Sequence, residues 1–293
     1  MVLGRRGFSK LALVVLASGG GAVNRVLLAQ ENSLQDTAIA VERRLGARLG
    51  LAVLDESSGR IWGYQADQRF PMCSTFKLIA TGAFLARVDS GHDSLLRRVA
   101  IEQDALVSYS PVTETRVGGQ GMTMAEICEA ALTQSDNTAG NKILQSIGGP
   151  EALTRFARNI GDEVTRLDRW ETELNEALVG DPRDTTSPNA IVNTLRRLLL
   201  GDVLSDASKR LLGDWMKANQ TGDAKLRAGL PSSWELGDKT GGGNNGTMAD
   251  VAIVWPANRK PILVAVYMTE TTASFEDRNA GIAEIASALV LAI

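Results

Sequence analysis

Apolar positions along this chain follow a helical rhythm in its middle and a strand-like one near both ends. Leu34, Thr37, Ala38, Val41 and Leu45 recur at helical spacing, and the pattern stops at Gly46 and Gly50, which predicts a helix. Leu49 to Leu54 and Ile61 to Tyr64 are short apolar segments joined by Ser57-Ser58-Gly59, the pattern of a β-hairpin. From Pro71 to about Lys217 the periodicity is nearly all helical. Phe76, Leu78, Ile79, Ala80, Ala83, Phe84, Leu85 and Val88 surround a 3.6-residue period and leave no wet face, so a buried helix should begin near Ser74. Met124, Ile127, Cys128, Ala131 and Leu132 mark another helix. Ile143, Leu144 and Ile147 mark a third, ended by Gly148-Gly149. Pro150 opens a helix through Leu153, Phe156, Ala157 and Ile160 that Gly161 closes, in keeping with proline-first, glycine-last punctuation. Further stripes run from Ile191 to Leu199 and, behind a Ser205 cap, from Leu211 to Met216. Trp234 to Thr240, Ala249 to Trp255 and Ile262 to Met268 then read as strands, and Ile282, Ile285, Ala286, Leu289 and Val290 as a closing helix.

Sequential strands joined by short turns pair antiparallel. The expected fold is therefore α+β, an α/β sandwich: one antiparallel sheet built from both ends of the chain, flanked by terminal helices and packed on an all-helical lobe. Residues 30–66 and 217–293 would form the sheet lobe and residues 67–216 the helical lobe, with a site in the cleft between them.

Residues 1–29 stand apart. Arg5-Arg6 and Lys10 precede a modest apolar run, Leu11 to Ala17, and small residues continue to Ala29, the pattern of a twin-arginine export signal cleaved after Ala29. The expected location is the periplasm, reached through the twin-arginine machinery, with no stable membrane anchor because the run is too short to span a bilayer. Removing Arg5, Arg6, Lys10 and Arg25 leaves 27 basic residues of 31 against 34 acidic, a formal charge of −7, which argues against nucleic acid as a partner. One histidine, His92 in a polar turn, and two separated cysteines, Cys73 and Cys128, cannot assemble the usual zinc site or a Ser-His-Asp triad. No metal or cofactor is expected. A hydrolase built from these residues would take a lysine or a carboxylate as its base.

Ser74 and Lys77 supply such chemistry. Three residues apart at a helix start, hydroxyl and amine lie side by side. Burial and the positive end of the helix dipole push the lysine towards its neutral form, able to accept the serine proton. Gln134-Ser135-Asp136-Asn137 follows a predicted helix, where a loop can place hydroxyl and amide groups at the cleft. Lys239-Thr240-Gly241 ends a predicted strand, and the glycines there let a ligand approach the backbone. Singly these are ordinary caps and turns. Together, S-x-x-K, S-D-N and K-T-G in this order and in helix, loop and strand contexts form the signature of serine β-lactamases and penicillin-binding proteins.

A fourth stretch separates the branches. Arg166 to Asn175 runs on to Asp181 through Pro188 with little apolar periodicity, and its Glu171-Thr172-Glu173-Leu174-Asn175 core resembles the omega loop, here residues 166–188, of class A β-lactamases. The resemblance extends from about residue 34 to the C-terminus and includes Tyr109-Ser110-Pro111-Val112-Thr113-Glu114 and Ser135-Asp136-Asn137-Thr138-Ala139. It implies hydrolysis of penicillins and cephalosporins through an acyl-enzyme on Ser74. Lys77 and Glu171 are then the candidate bases for acylation, and Glu171 with Asn175 activates the deacylating water. Ser135 would relay a proton to the leaving nitrogen, and Asn137 would hold the substrate side-chain amide. Lys239 and Thr240 would bind the substrate carboxylate, Tyr109 would line the entrance, and Gly241 and Gly242 would let substrate lie along the strand. The backbone N–H groups of Ser74 and Gly242 would form the oxyanion hole, and Arg169 and Asp184 the ion pair that fastens the loop. A monomer acting on small-molecule β-lactams is expected. The alternative, a D-Ala-D-Ala peptidase or a β-lactam sensor that stays acylated, shares the three short motifs but has no use for Glu171.

The chain departs from the family pattern in places. Thr172 stands where many members carry a proline after a cis peptide; before a non-proline residue a cis bond costs about 2.5–4 kcal/mol, which leaves the geometry open. Met248 stands where several relatives have a carboxylate-gripping arginine, with Lys225, the preferred substitute, or Arg278 in its place. Thr81 and Gly243 stand where some relatives pair a cysteine with Cys128 and Cys73, so both thiols should be free.

Overall fold

A computed structural model describes residues 34–293. The residues read as an export signal lie outside this range. Helix α1 covers residues 34–45 and leads into the hairpin β1 (Arg48–Asp55) and β2 (Ile61–Tyr64). The middle of the chain contains β3 (Phe70–Pro71), α2 (Phe76–Asp89), β4 (Arg98–Val99), β5 (Met122–Thr123), α3 (Met124–Thr133), α4 (Asn137–Ile147), α5 (Pro150–Asn159), β6 (Thr185–Thr186), α6 (Pro188–Leu199) and α7 (Asp206–Lys217). A short α8 (Leu226–Gly229) precedes β7 (Glu235–Gly242), β8 (Met248–Trp255), β9 (Ile262–Thr269) and the final α9 (Phe275–Ala292).

The main sheet has the order β2-β1-β9-β8-β7, every neighbour antiparallel, so the first and last segments of the chain meet at its centre. Both faces are covered, which is why β8 and β9 are apolar almost without alternation. Val251, Ile253, Leu263, Ala265 and Tyr267 pack against the helical lobe with Phe76, Ile79, Leu195 and Met216. Ala252, Val254, Val264, Val266 and Met268 pack on the other face against Leu34, Val41, Ile282, Ile285 and Leu289 of α1 and α9. This is the α+β fold expected from sequence, one antiparallel sheet built from both ends of the chain and flanked by the terminal helices; the strand order itself comes from the structure.

The two-residue ladders β3–β6 and β4–β5, and α8, were not anticipated. Pairs this short carry no periodic signal of their own, and their partners are far apart in sequence, as Phe70 and Thr186 are. Ser205, Thr123 and Asp136 each cap a helix by accepting a backbone N–H, and Thr123 with Glu126 forms a full capping box.

Candidate active site

Ser74 lies in a tight 3₁₀ turn, Cys73–Thr75, that feeds directly into α2, so it precedes the α-helix instead of opening it. The three-residue relation to Lys77 survives, with Lys77 Nζ donating to Ser74 Oγ at 2.9 Å. The residue before Ser74, Cys73, has φ 44°, and Tyr109 and Ser135 have φ 59° and 58°. Left-handed backbone in non-glycine residues is costly and clusters where a surrounding structure over-determines it. Here it turns three segments into one cleft.

Lys77 is wholly buried and held on several sides. Nζ also donates to Ser135 O at 2.8 Å and Asn137 Oδ1 at 2.6 Å, and stands 2.9 Å from Glu171 Oε1. Burial lowers the proton affinity of its amine, while the Glu171 carboxylate works in the opposite direction. Ser74 Oγ is 3.4 Å from the same Glu171 oxygen. The Ser74 hydroxyl, the Lys77 amine and the Glu171 carboxylate are thus mutually in reach across segments nearly a hundred residues apart.

Glu171 is placed by the loop that carries it. Asn175 Nδ2 donates to Glu171 Oε2 at 2.5 Å. Asn141, on α4, grips the Glu171 backbone from both sides, accepting from its N–H and donating to its C=O, each at 3.0 Å. At the neck of the loop, buried Asp184 accepts from Asp168 N, Arg169 N and Arg169 Nε at 2.7, 2.9 and 2.6 Å, and Asp168 accepts from Asp184 N at 3.0 Å. The expected Arg169–Asp184 pair is present, within a larger clasp. The Glu171–Thr172 peptide is cis. Glu173 belongs to a short 3₁₀ turn, Glu173–Asn175, on the loop.

The opposite wall is the end of β7. Lys239 Nζ donates to Ser135 Oγ at 3.1 Å and to Thr240 O at 2.9 Å. Burial, reinforced by nearby Lys77, lowers its pKa to about 7. Ser135 Oγ therefore sits between two buried amines, 3.5 Å from Lys77 Nζ on the other side. A Cβ on Gly241 would meet Met72 O at 2.7 Å. Glycine is thus required there for strand β7 to lie against the turn that bears Ser74, a reason beyond the ligand access read from sequence. Gly242 has no such crowding, its nearest neighbour being Thr247 O at 3.9 Å.

Between the walls lies a cleft of about 430 Å³ that Ser74, Ser135, Asn137, Thr240, Gly242 and Asn175 line, with Tyr109 at its exposed edge. Eight of the eleven residues singled out from sequence line this cleft, and the other three, Lys77, Glu171 and Lys239, are buried and bonded to Ser74 or Ser135. Lys225 and Arg278 both border the cleft, as does Met248. Lys225 is buried, donates to Thr221 O at 3.1 Å and lies 5.3 Å from the Phe275 ring centre; Arg278 lies 5.9 Å from the same ring and reaches Ser274 O. His92 is an exposed turn residue bonded to Ser90 Oγ, and Cys73 and Cys128 are free and buried.

Three contributors escaped the sequence reading. Asn141 is four residues beyond Asn137, hence on the same helix face, a signal that helical geometry alone could have raised. Asp136 is in sequence only one letter of a motif, yet it accepts from Val112 N, Thr113 N and Thr113 Oγ1 at 2.9 Å each, tying α4 to the segment that bears Tyr109. Thr221, from an irregular loop, bonds Thr240 Oγ1 at 2.5 Å and has no local signature.

The sequence model of the β-lactamase enzyme family matches residues 31–293. β-Lactamase FAR-1 of Nocardia farcinica (strain IFM 10152) is 50% identical over 256 residues, 87% of this chain and 81% of that protein. β-Lactamase CTX-M-97 of Escherichia coli is 46% identical over 253 residues, 86% of this chain and 87% of that protein. Among solved structures, the class A β-lactamase representing the last common ancestor of Gram-negative bacteria superposes with a TM-score of 0.87 at 59% identity, covering 89% of this chain and 99% of that one.

Proposed function

This chain belongs to the β-lactamase enzyme family as a class A member, and from that membership we propose how its residues divide the work. It hydrolyses the β-lactam ring through a serine acyl-enzyme, the reaction that confers resistance to β-lactam antibiotics. The observation that carries the residue assignment is the mutual approach of Ser74 Oγ, Lys77 Nζ and Glu171 Oε1 within 2.9–3.4 Å.

Ser74 Oγ attacks the ring carbonyl carbon, and the ring C–N bond breaks. The serine proton leaves to Lys77, whose amine burial makes easier to find neutral, or through a water to Glu171. The carbonyl oxygen, as it gains charge, accepts from the Ser74 and Gly242 N–H groups; losing one such donor typically costs about 10²–10³ in rate. Ser135, between Lys77 and Lys239, hands a proton to the departing nitrogen. Lys239 and Thr240 take the substrate carboxylate, Lys225 adds positive charge beside them, Asn137 takes the side-chain amide, and Tyr109 shapes the entrance. Glu171, oriented by Asn175, then removes a proton from water. The resulting hydroxide attacks the ester, and Ser74 leaves, reprotonated, from a ring-opened acid.

An acyl-serine ester outlives many turnovers unless a positioned base delivers water. Glu171→Gln should therefore separate the two halves: intact mass should show an adduct on Ser74 after mixing with a chromogenic cephalosporin, while turnover falls by about 10²–10⁴-fold. A variant that still turns over with no adduct removes Glu171 from deacylation. Export of the protein to the periplasm by residues 1–29, through the twin-arginine route, and a monomeric state complete the proposal, supported by Arg5-Arg6 and the short apolar run after them.

A further inference from the structure

Behind Thr240 a chain of side chains runs away from the cleft into the protein. Thr240 Oγ1 lies 2.5 Å from Thr221 Oγ1, which lies 2.8 Å from Asn219 Oδ1; Asn219 Nδ2 donates to Asp238 Oδ2 at 2.6 Å. Arg227 Nη2 holds the other Asp238 oxygen at 2.8 Å. Asn219 and Asp238 are buried, and Gly222 has no room for a side chain, since a Cβ there would sit 1.9 Å from Asp238 Oδ2. The loop bearing Thr221 is thus pinned at its start by Gln220 N on Thr133 O and at its end by Lys225 Nζ on Thr221 O.

The chain has a direction. The Thr221 N–H can only donate, so the Asn219 amide presents its oxygen to Thr221 and its NH2 to Asp238. That oxygen receives both the Thr221 N–H, at 3.0 Å, and the Thr221 hydroxyl. A hydroxyl has one proton, so in the free site the Thr240 hydroxyl donates to Thr221 and turns a lone pair outward. An incoming carboxylate needs the reverse. Thr240 can turn its proton to the carboxylate if Thr221 turns its own to Thr240, and Asn219 Oδ1 still keeps the Thr221 N–H, so no buried group is orphaned.

Building on the assignment of Thr240 to the substrate carboxylate, we propose that Thr221 is a positioning residue. Its hydroxyl parks the Thr240 proton in the free enzyme and donates into Thr240 when an anionic substrate binds, strengthening Thr240 as a donor and favouring β-lactams that carry a free carboxylate. The same residue fixes Lys225 through its carbonyl, so hydroxyl and ammonium approach the anion together.

The test compares a chromogenic cephalosporin with its neutral methyl ester. Thr221→Val should raise KM for the acid by about tenfold, the range of a hydrogen bond to a charged group, with kcat within twofold and the ester unaffected. Thr221→Ser should restore the acid KM. Thr221→Ala carries the same expectation should the valine variant fail to fold. Equal changes for acid and ester, no change at all, or no rescue by serine overturn the proposal. Thr240→Ala is the control: if Thr240→Ala discriminates acid from ester and Thr221→Val does not, the Thr221 role fails alone. Should Thr240→Ala not discriminate, the carboxylate assignment fails and the relay with it.

Discussion

Two lysines, Lys77 on α2 and Lys239 on β7, are both fully buried at the same cleft, yet their surroundings differ in kind. Lys77 has a carboxylate 2.9 Å away and two further acceptors supplied by the Ser135–Asn137 segment. Lys239 touches a hydroxyl and a carbonyl, and its strongest electrostatic neighbour after burial is another lysine. The helical wall is therefore a closed, internally balanced set that can pass protons among its own members. The sheet wall is a cation without a partner anion in contact, which suits it to receive one from the substrate. Chemistry and binding are separated by which amine has a carboxylate beside it.

The sharpest way to break this contrast is to delete Lys77. Lys77→Ala removes a candidate base at 2.9 Å from the Ser74 hydroxyl and leaves Glu171 buried without its cation. kcat/KM should fall by about 10²–10⁴-fold, mostly through kcat for acylation, as single-turnover kinetics with a chromogenic cephalosporin would reveal. A loss confined to KM would place Lys77 with Lys239 as a binding group and dissolve the distinction.

Next in size is the clasp that carries Glu171 to the helical wall. Asp184→Ala strands two backbone N–H groups and the half-buried Arg169 guanidinium at once. Breaking a buried pair from one side costs about 3–5 kcal/mol. Urea denaturation should register a loss of that order, and the variant should retain acylation better than deacylation, since Lys77 keeps its bonds to Ser74, Ser135 and Asn137 when Glu171 is displaced. Unchanged stability would mean that Asn141 and the Asp168 carboxylate hold the loop without Asp184.

How much of this was open to reading in the chain follows from the range of the interactions involved. The Ser74–Lys77 pair was legible because three residues of helix or 3₁₀ turn place two side chains together whatever the rest does. Strands β8 and β9 were legible because sheet covered on both faces leaves an unbroken apolar run. The left-handed backbone at Cys73 and Ser135 was not, since nothing about those residue types favours it; tertiary packing imposes it. Thr221 and the β3–β6 ladder were hidden for the same reason, as each acquires its role only from a partner brought in by the fold. Lys225 and Arg278 are alternatives in the sequence, and in the structure both border the cleft, Lys225 buried beside Thr221.

The smallest expected effect tests the sheet wall by itself. With its pKa near 7, Lys239 is an ammonium below neutrality and increasingly a neutral amine above it. For a carboxylate-bearing substrate, kcat/KM should fall as pH rises through about 7, by up to about tenfold between pH 6 and 8 on the account of this group. Stability must move the other way. The unfolded lysine keeps its proton up to about pH 10.4, so between about 7 and 10 the unfolded chain binds more protons than the folded one, and unfolding free energy rises with pH. Burying a charged Lys239 costs stability below pH 7, and the cost is relieved as the proton leaves. Lys239→Met should flatten both slopes and raise KM for the acid substrate by about 10–100-fold, in keeping with loss of a charged hydrogen bond. Paired pH series of kcat/KM and of urea midpoints, wild type against Lys239→Met, check the two signs together. If, in the wild type, kcat/KM does not fall and stability does not rise between about pH 6 and 8, Lys239 stays protonated in the cleft, and the contrast with Lys77 lies in partners alone and not in charge.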